Sequence, residues 1–422
     1  MLKRLKYKLY FFVAGYFRFF AKIQLALWKP RIIVVTGSNG KTTLLHLIES
    51  QLKNRARYSH HANSSFGIPF DILNLHRQTF KAGEWLYLFL LAPLKALKKP
   101  YTQKIYVVEA DCDRPGEGKF LADLLNPEVT IWASVGRTHS MNFDFLVKQG
   151  KFRNVDDAIA HEFGYFLENT KALVVINGDE ALMRFEAARS KAPVKNINSN
   201  QLNSYEVLEN STEFVIGGVA YHFNCLLPKQ AFVSVAQTVE LLKFMGLNLY
   251  LSFQNFVLPP GRSSFFLGIK NIKIIDSSYN ANLQSMAAVL EMFGVYKGKI
   301  KWAVLGDMLE QGNEEKEEHE NLAELITALK LDKVILMGPR VCKYTYPKLM
   351  TQMADEKIAF FEKPKEALDF LQENLRGNET VLFKGARFME GIVEHLLLNK
   401  ADANKLCRRE KVWENRRKEW GL

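Results

Sequence analysis

At 422 residues the chain is long enough for two or three domains, and its 48% hydrophobic content excludes a protein that is disordered by composition. The net charge of +12 comes almost entirely from the ends, because residues 1–31 contain eight basic and no acidic side chains and residues 401–422 contain seven basic and four acidic ones. A nearly neutral body argues against a nucleic-acid groove, and we interpret the basic ends as surface-contacting segments. Four scattered cysteines without zinc spacing fit a reducing compartment.

The opening stretch, residues 1–30, mixes aromatic residues with lysine and arginine. Its longest charge-free apolar run, residues 9–17, is too short to span a bilayer, which needs about 20 residues. The pattern predicts an amphipathic helix in a membrane interface, with its aromatic face towards lipid and its basic face towards anionic headgroups. The alternative is a helix that packs on the protein's own core or on a partner.

A nucleotide-binding loop follows at once. The apolar run 32–35 predicts a strand, the small polar turn has glycine at the bend, and a helical pattern starts after it and continues to about residue 53. In such a strand–loop–helix, backbone N–H groups and the helix N-terminus bind a polyphosphate, Lys41 reaches its outer oxygens and the Thr42 hydroxyl can ligate Mg²⁺. Val35 stands where the full Walker pattern has glycine, so a plain glycine-rich turn is the alternative. The predicted nucleotide-binding residues are Gly37, Ser38, Asn39, Gly40, Lys41, Thr42 and Thr43.

The next segments give weaker indications. Residues 60–69 contain the pair His60 and His61, which we interpret as an ordinary loop because no further ligand has a useful spacing. Residues 85–91 are apolar and flanked by lysines. They predict either a buried helix or a second membrane or partner contact, and the sequence does not decide.

Two strand ends carry candidate metal ligands. Residues 104–110 predict a strand that ends in Glu109, where a Walker-B-type acid would hold Mg²⁺. The strand predicted at 129–135 leads to His139, which is expected at the same edge of the sheet, although such a histidine taken alone is more often structural. With a further strand at 173–176, alternating strands and helices predict an open α/β sheet.

A second α/β series follows. Residues 198–226 are β-like, 233–245 predict a helix, and 258–262 look like a linker. Five strands then alternate with helices, which is typical of a Rossmann-like domain. The predicted fold is therefore α/β, with an amphipathic segment (1–30), a central P-loop domain with an open, mostly parallel sheet (31–257), a C-terminal Rossmann-like domain (258–400) and a basic tail (401–422).

Several stretches together resemble the Mur ligase family. The loop 36–43 has the family's own P-loop variant, the segment 276–282 (DSSYNAN) and the block 305–312 (LGDMLEQG) match two further motifs, and 384–387 (KGAR) matches the last. The resemblance covers about residues 30–398 and is greatest to the branch that adds D-alanyl-D-alanine to a muramoyl tripeptide.

The resemblance implies an ATP- and Mg²⁺-dependent ligase that activates a carboxylate as an acyl phosphate and joins it to an amine. It implies that Lys41 neutralises the β/γ-phosphates, that Thr42 and Glu109 hold one Mg²⁺ and that His139 holds a second. It also implies that further residues close over the nucleotide, namely Arg262, Tyr279, Asn280 and Asn282. The incoming-amine side would be lined by Asp307, Lys384 and Arg387.

The sequence departs from the family pattern in three places. A modified lysine that often holds metal is replaced by His161 and Glu162. Either Glu162 could supply a carboxylate, as a catalytic residue, or His161 could supply a nitrogen. The family's His-Asn helix start is replaced by residues 227–230. Only some 30 residues precede the first strand, so we expect the usual UDP-sugar domain to be absent.

These departures leave alternatives open. The acceptor could be a peptidoglycan precursor, a poly-glutamate chain or a lipid-linked carboxylate, and the amine D-Ala-D-Ala or another amino acid or dipeptide. From a different class, the chain could be a non-catalytic nucleotide-binding scaffold at a membrane surface. We expect a cytoplasmic protein, peripheral on the inner face of the membrane, that binds no nucleic acid.

Overall fold

Two six-stranded β-sheets, each made mostly of parallel strands, organise this computed structural model. The structure describes residues 2–60, 62–77, 83–249, 253, 255–385 and 388–422, without the side chains of residues 2–6 and 8. The chain divides into two compact units. The first unit comprises Met1–Gly136, Asn142–Ser199 and Val233–Tyr250, and the second comprises Arg137–Met141, Asn200–Phe232 and Leu251–Leu422. The predicted α/β fold is confirmed.

The first unit contains a six-stranded sheet in the order β2-β3-β1-β4-β5-β6, with every pair parallel. Buried β-branched residues make its central strands continuously apolar, as expected for a sheet covered on both faces. The strands are β1 (Arg31–Thr36), β2 (Ala56–Tyr58), β3 (Ile105–Ala110), β4 (Val129–Trp132), β5 (Leu173–Asn177) and β6 (Val194–Ile197). Strand β4 is shorter than predicted because the chain after Trp132 bonds to the loop that follows β1.

Helices cover this sheet. They are α1 (Leu2–Trp28), α2 (Lys41–Leu52), α3 (Gly67–Leu73), α4 (Glu84–Ala96), α5 (Glu117–Leu125), α6 (Asp144–Lys148), α7 (Val155–Glu168), α8 (Ala181–Ala187) and α9 (Ala231–Phe244), whose first two residues belong to the second unit. Within the described residues, no helix combines the length and apolar character that crossing a membrane requires.

Helix α1 packs one face on the core of the first unit. Phe17 and Trp28 are fully buried, and the ring of Phe17 lies 4.8 Å from that of Phe70 on α3 and 5.1 Å from that of Phe89 on α4. The Trp28 indole donates to the carbonyl of Gln103 at 2.6 Å. The predicted amphipathic helix is confirmed, and this aromatic face contacts the protein itself, which was the alternative to lipid.

The second unit contains a six-stranded sheet in the order β10-β11-β15-β12-β13-β14, with only the edge strand β10 antiparallel. The strands are β10 (Ser264–Leu267), β11 (Lys273–Ser277), β12 (Ile300–Gly306), β13 (Lys333–Met337), β14 (Ile358–Phe361) and β15 (Glu379–Lys384). The helices are α10 (Leu283–Val295), α11 (Glu315–Thr327), α12 (Tyr346–Leu349), α13 (Pro364–Asn374), α14 (Met389–Leu396) and α15 (Lys411–Glu419). The five predicted strands are confirmed, and β10 is an addition.

A small antiparallel sheet also belongs to the second unit. Its strands β7 (Leu202–Val207), β8 (Thr212–Ile216) and β9 (Val219–Phe223) pair in sequence order. The sequence indicated β structure here and assigned it to the domain 31–257, whereas the structure groups residues 200–232 with the second unit.

The basic tail packs on α14. Arg408 and Arg417 lie 3.3 and 3.5 Å from the fully buried carboxylate of Glu390, and Arg409 lies 2.7 Å from Glu394. Arg417 itself is buried. These arginines therefore hold the tail on its own unit, and their charge is compensated there.

Candidate active site

The loop between β1 and α2 has a conformation that requires glycine at both bends. Gly37 has φ +128°, and a Cβ there would lie 2.6 Å from the carbonyl oxygen of Ser134. Gly40, directly before α2, has φ +80°. Side chains other than hydrogen would be strained at these positions, so glycine is what allows this close turn.

The chain after β4 holds the loop in place. Ser134 accepts a hydrogen bond from the Ser38 N–H at 3.0 Å, and its hydroxyl accepts one from the Asn39 N–H at 2.7 Å. The Ser38 hydroxyl donates to the carbonyl of Gly136 at 2.6 Å. The first turn of α2, residues 41–43, therefore follows a fixed loop, and its N–H groups with the helix dipole form the kind of site that binds phosphate.

Lys41 is the buried cation of this loop. Its ammonium donates to the carbonyls of Gly37 (2.5 Å) and Ser38 (3.2 Å) and lies 2.7 Å from the Asp111 carboxylate. Burial favours the neutral amine, but the charges of Asp111, Glu109 and Asp113 outweigh it and raise the pKa of Lys41. Lys41 therefore stays charged, as a residue that neutralises phosphate must.

Two carboxylates lie at the end of β3 beside this loop. Strand β3 runs parallel to β1 with Glu109 opposite Val35, so both strands end at the same edge. Glu109 is half-buried, whereas Asp111 is buried and makes the ion pair with Lys41. The sequence pattern indicated Glu109 and gave no role to Asp111, although an acid directly after the strand end was a visible signal.

Glu162 contacts the start of α5. Its two carboxylate oxygens accept hydrogen bonds from the N–H groups of Gly116 (2.7 Å) and Gly118 (3.0 Å), at the start of α5. Burial raises its pKa, and the two backbone hydrogen bonds oppose that rise. The neighbouring His161 contacts Arg189 and Glu186. Both oxygens of Glu162 thus accept hydrogen bonds at the start of a helix, and the role of this carboxylate as a metal ligand stays a prediction.

The second unit brings together four of the predicted residues near the ends of β11 and β15, namely Arg262, Tyr279, Asn280 and Lys384. The Lys384 ammonium donates to the carbonyl of Asn280, and the Arg262 guanidinium lies 4.0 Å above the ring of Tyr279. Asn282, also predicted to contact the nucleotide, accepts a hydrogen bond from the Ser285 N–H at 2.8 Å and thereby caps α10.

Lys384 and Asp276 are buried ionisable groups in this region. Burial, with the positive charge of Arg262, lowers the pKa of Lys384 to about 7, and Asp276 only partly offsets this. Burial raises the pKa of Asp276 to about 6. Lys384 can therefore exchange a proton near neutral pH.

Asp307 and His139, which belong to the same unit, make other contacts. One carboxylate oxygen of Asp307 accepts hydrogen bonds from the N–H groups of Arg340 and Val341, both at 2.9 Å. His139 has a left-handed backbone (φ 55°), and its Nδ1 lies 2.5 Å from a carboxylate oxygen of Glu310. Arg387 lies outside the described residues.

A group of potential metal ligands also occurs on the surface of the first unit. His46 and Glu49 on α2 and His60 after β2 place their ligand atoms within 4.8 Å of one another. The Glu49 carboxylate lies 3.1 Å from His60 and 3.5 Å from His46. The sequence pattern missed the two α2 members because they join His60 only in space.

Family comparisons cover both units. A family model described as Mur ligase middle domain matches residues 35–224, and one described as Mur ligase, glutamate ligase domain matches residues 261–387. Together they match 317 of the 422 residues.

Curated relatives align over most of the chain. The UDP-N-acetylmuramoyl-tripeptide–D-alanyl-D-alanine ligase of Bacillus subtilis is 26% identical over 394 residues, which are 89% of this chain and 78% of the relative. The Escherichia coli protein of the same name is 24% identical and covers 89% of this chain and 80% of the relative.

Solved structures share the fold. The MurF ligase of Thermotoga maritima, solved in complex with ADP, has a TM-score of 0.71 at 22% identity and covers 90% of this chain and 83% of its own. A folylpolyglutamate synthase of Mycobacterium tuberculosis has a TM-score of 0.59 at 13% identity, with 89% and 94% covered.

Proposed function

The chain belongs to the Mur ligase family of ATP-dependent, carbon–nitrogen bond-forming ligases, and from this premise we propose that it joins D-alanyl-D-alanine to a UDP-N-acetylmuramoyl-tripeptide. The observation that carries the proposal is the charged, buried Lys41 in a glycine-bounded loop at the end of β1. Relatives with the proposed activity align over 89% of the chain, which favours these substrates.

The reaction needs two steps. The acceptor carboxylate attacks the γ-phosphorus of ATP, which forms a carbonyl–O–P bond and releases ADP. The amine then attacks the activated carbonyl, so that a C–N bond forms, the C–O bond to phosphate breaks and the amine loses a proton. Because ATP supplies the activation, the protein has to bind, orient and neutralise charge.

We assign the phosphate and metal chemistry to residues of the β1 and β3 ends and to His139. The backbone cradle at Gly37 and the buried cation fit a polyphosphate, and a hydroxyl and a carboxylate fit Mg²⁺. Lys41 would neutralise the β/γ-phosphates, Thr42 and Glu109 would hold one Mg²⁺, and His139 would hold a second. Bound Mg²⁺ supplies additional charge neutralisation at the transferred phosphoryl group.

Residues of the second unit receive the remaining roles. We assign nucleotide binding to Arg262, Tyr279, Asn280 and Asn282, and the amine side to Asp307, Lys384 and Arg387. A pKa of about 7 suits Lys384 to accept the proton that the incoming amine must lose.

The proposed location is the cytoplasmic side of the membrane, with peripheral attachment to its inner face. The basic, aromatic α1 supports attachment, and a precursor ligase works where its nucleotide substrates are. We favour small-molecule partners, namely a precursor carboxylate and a dipeptide amine.

The test is release of phosphate from ATP by the full chain with Mg²⁺. We expect release only when UDP-N-acetylmuramoyl-tripeptide and D-Ala-D-Ala are both present, together with a product heavier by one dipeptide in mass spectrometry. Release that requires glutamate instead would indicate a poly-glutamate ligase. Binding of ATP without acceptor-dependent release would indicate the non-catalytic scaffold and overturn the proposal.

A further inference from the structure

Helix α1 has a second apolar face, opposite the one that packs on the core. Leu9 is 58% exposed, Phe12 79% and Phe19 60%, and Tyr16 continues the same line. Their spacing of three, four and three residues places them on one side of a helix. Contact between large apolar side chains and water is unfavourable, so this face has the composition of a contact surface.

Helix α4 presents a matching line. Its buried side is formed by Leu88, Ala92 and Ala96. On its other side Leu86, Leu90 and Leu94, with Leu97 directly after the helix, are each more than 60% exposed, and Tyr87 lies beside them. Four leucines in a row on the exposed side of a helix are unusual for a helix that faces only water.

The two helices that carry these lines are in direct contact through Tyr16, and we treat the two lines as one surface. The Tyr16 ring lies 4.9 Å from the ring of Phe89 on α4, and its hydroxyl donates to the Phe89 carbonyl at 2.7 Å. Phe89 stands directly beside Leu90 in the chain. The α1–α4 surface consists of Leu9, Phe12, Tyr16, Phe19, Leu86, Tyr87, Leu90, Leu94 and Leu97.

The charges around this surface are positive. Lys22 is exposed on α1, and Lys95, Lys98 and Lys99 stand at the end of α4, whose only acid is Glu84. A second copy of the chain would bring two such basic surfaces together, which electrostatic repulsion opposes. Anionic lipid headgroups, in contrast, attract the basic rim, while acyl chains accept leucine and phenylalanine.

We propose that the α1–α4 surface lies in the interface of an anionic phospholipid bilayer, with both helices parallel to the membrane plane. This inference rests on the proposed peripheral location and deepens it by naming the surface and its partner. The sequence predicts an aromatic face towards lipid without saying which one, and the structure now names it: Phe12 and Phe19 would meet lipid, whereas Phe17 and Trp28 are buried in the protein.

The test is co-sedimentation of the full chain with vesicles of phosphatidylcholine and phosphatidylglycerol (three to one) or of phosphatidylcholine alone. The double variant Phe12→Ser/Leu90→Ser removes apolar area from both helices without touching the core. Phe185→Ser on α8, which is 74% exposed in the same unit, is the matched control. We expect the wild type and the control to bind the mixed vesicles equally, and the double variant about tenfold or more weakly.

A charge variant separates the electrostatic attraction to headgroups from the apolar contact with acyl chains. Lys98→Gln/Lys99→Gln should weaken binding to the phosphatidylglycerol vesicles by about tenfold and leave binding to pure phosphatidylcholine unchanged. Equal binding of wild type and Phe12→Ser/Leu90→Ser would overturn the proposal. A dimer in sedimentation velocity that this double variant abolishes, without vesicle binding by the wild type, would assign the surface to a second copy instead.

The outcome is separable from that of the ligase assay. Vesicle binding needs no substrate, and the exposed positions Phe12 and Leu90 have no assigned catalytic role, so phosphate release in solution should be the same in the double variant and the wild type. Failure of vesicle binding with normal phosphate release concerns this surface alone.

Discussion

Lys41 in the first unit and Lys384 in the second are both buried lysines, but their charge states respond to opposite surroundings. Lys41 opens the helix that follows β1, Lys384 is the last residue of β15, and both are buried. Three carboxylates raise the pKa of Lys41, whereas burial and the neighbouring Arg262 lower that of Lys384 to about 7. Burial alone therefore does not decide the chemistry of a lysine; the charges around the amine decide whether it is a permanent cation or a proton acceptor.

Replacing Lys41 tests the permanent cation and should have the largest effect. Lys41→Ala removes the positive charge at the transferred phosphoryl group, so we expect turnover to fall about a thousandfold or more in the phosphate-release assay. Lys243→Ala, an exposed position on α9 in the same unit, is the control and should keep full turnover. Undiminished turnover in Lys41→Ala, with a native circular dichroism spectrum, would refute the role of the loop.

Asp111→Asn removes one of the charges that raise the pKa of Lys41. The substitution keeps the shape of the side chain but removes the nearest negative charge, so burial counts for more and the pKa of Lys41 falls. We expect the pH profile of turnover to decline earlier on the alkaline side, with a loss of about tenfold at pH 9 and a smaller one at pH 7. Asp123→Asn on α5 is the control, and a loss independent of pH would contradict this explanation.

Lys384→Met tests the other lysine through stability. Since the pKa is about 7 in the folded state and about 10.4 in an unfolded chain, the unfolded chain binds more protons between those values. Wild-type stability from this group therefore rises with pH from 7 to 10. Asp276, with a folded pKa of about 6, acts in the opposite direction and only below that window.

The measurement is the urea midpoint at pH 6.5, 8 and 9.5. We expect Lys384→Met to remove the rise between pH 7 and 9.5 and to be more stable than wild type at pH 6.5. Lys405→Met in the exposed tail should reproduce the wild-type curve. A rise of the same size in Lys384→Met would show that another group titrates.

Glu162→Gln extends the comparison to a buried carboxylate and should have the smallest effect. An amide can accept only one of the two hydrogen bonds from Gly116 and Gly118, so we expect a loss of about 1 kcal/mol in the free energy of unfolding. If these two bonds occupy both oxygens in the working enzyme as well, the Mg²⁺ concentration for half-maximal turnover should not change. A several-fold rise in that concentration would support Glu162 as a metal ligand.

Much of the fold could be predicted because it depends on local patterns. The apolar runs before Thr36 and after Ile300 mark strands, and the glycines at 37 and 40 mark the loop without reference to the rest of the chain. The contacts of Asp111 and Glu162 could not be predicted, because they join residues 70 and 44 or more positions apart through the direction of single side chains. The two faces of α1 were indistinguishable in the sequence since both are rich in phenylalanine.

Helix α1 also constrains how this chain can evolve. Phe17 and Trp28 belong to the core of the first unit, so a lineage cannot delete the helix without first finding another cover for α3 and α4. A lineage that gave up lipid contact would be free to replace Phe12 and Phe19 with polar residues while Phe17 and Trp28 stayed apolar. If close descendants differ in sequence on the exposed face but not on the buried face, the difference would record when membrane attachment was gained or lost.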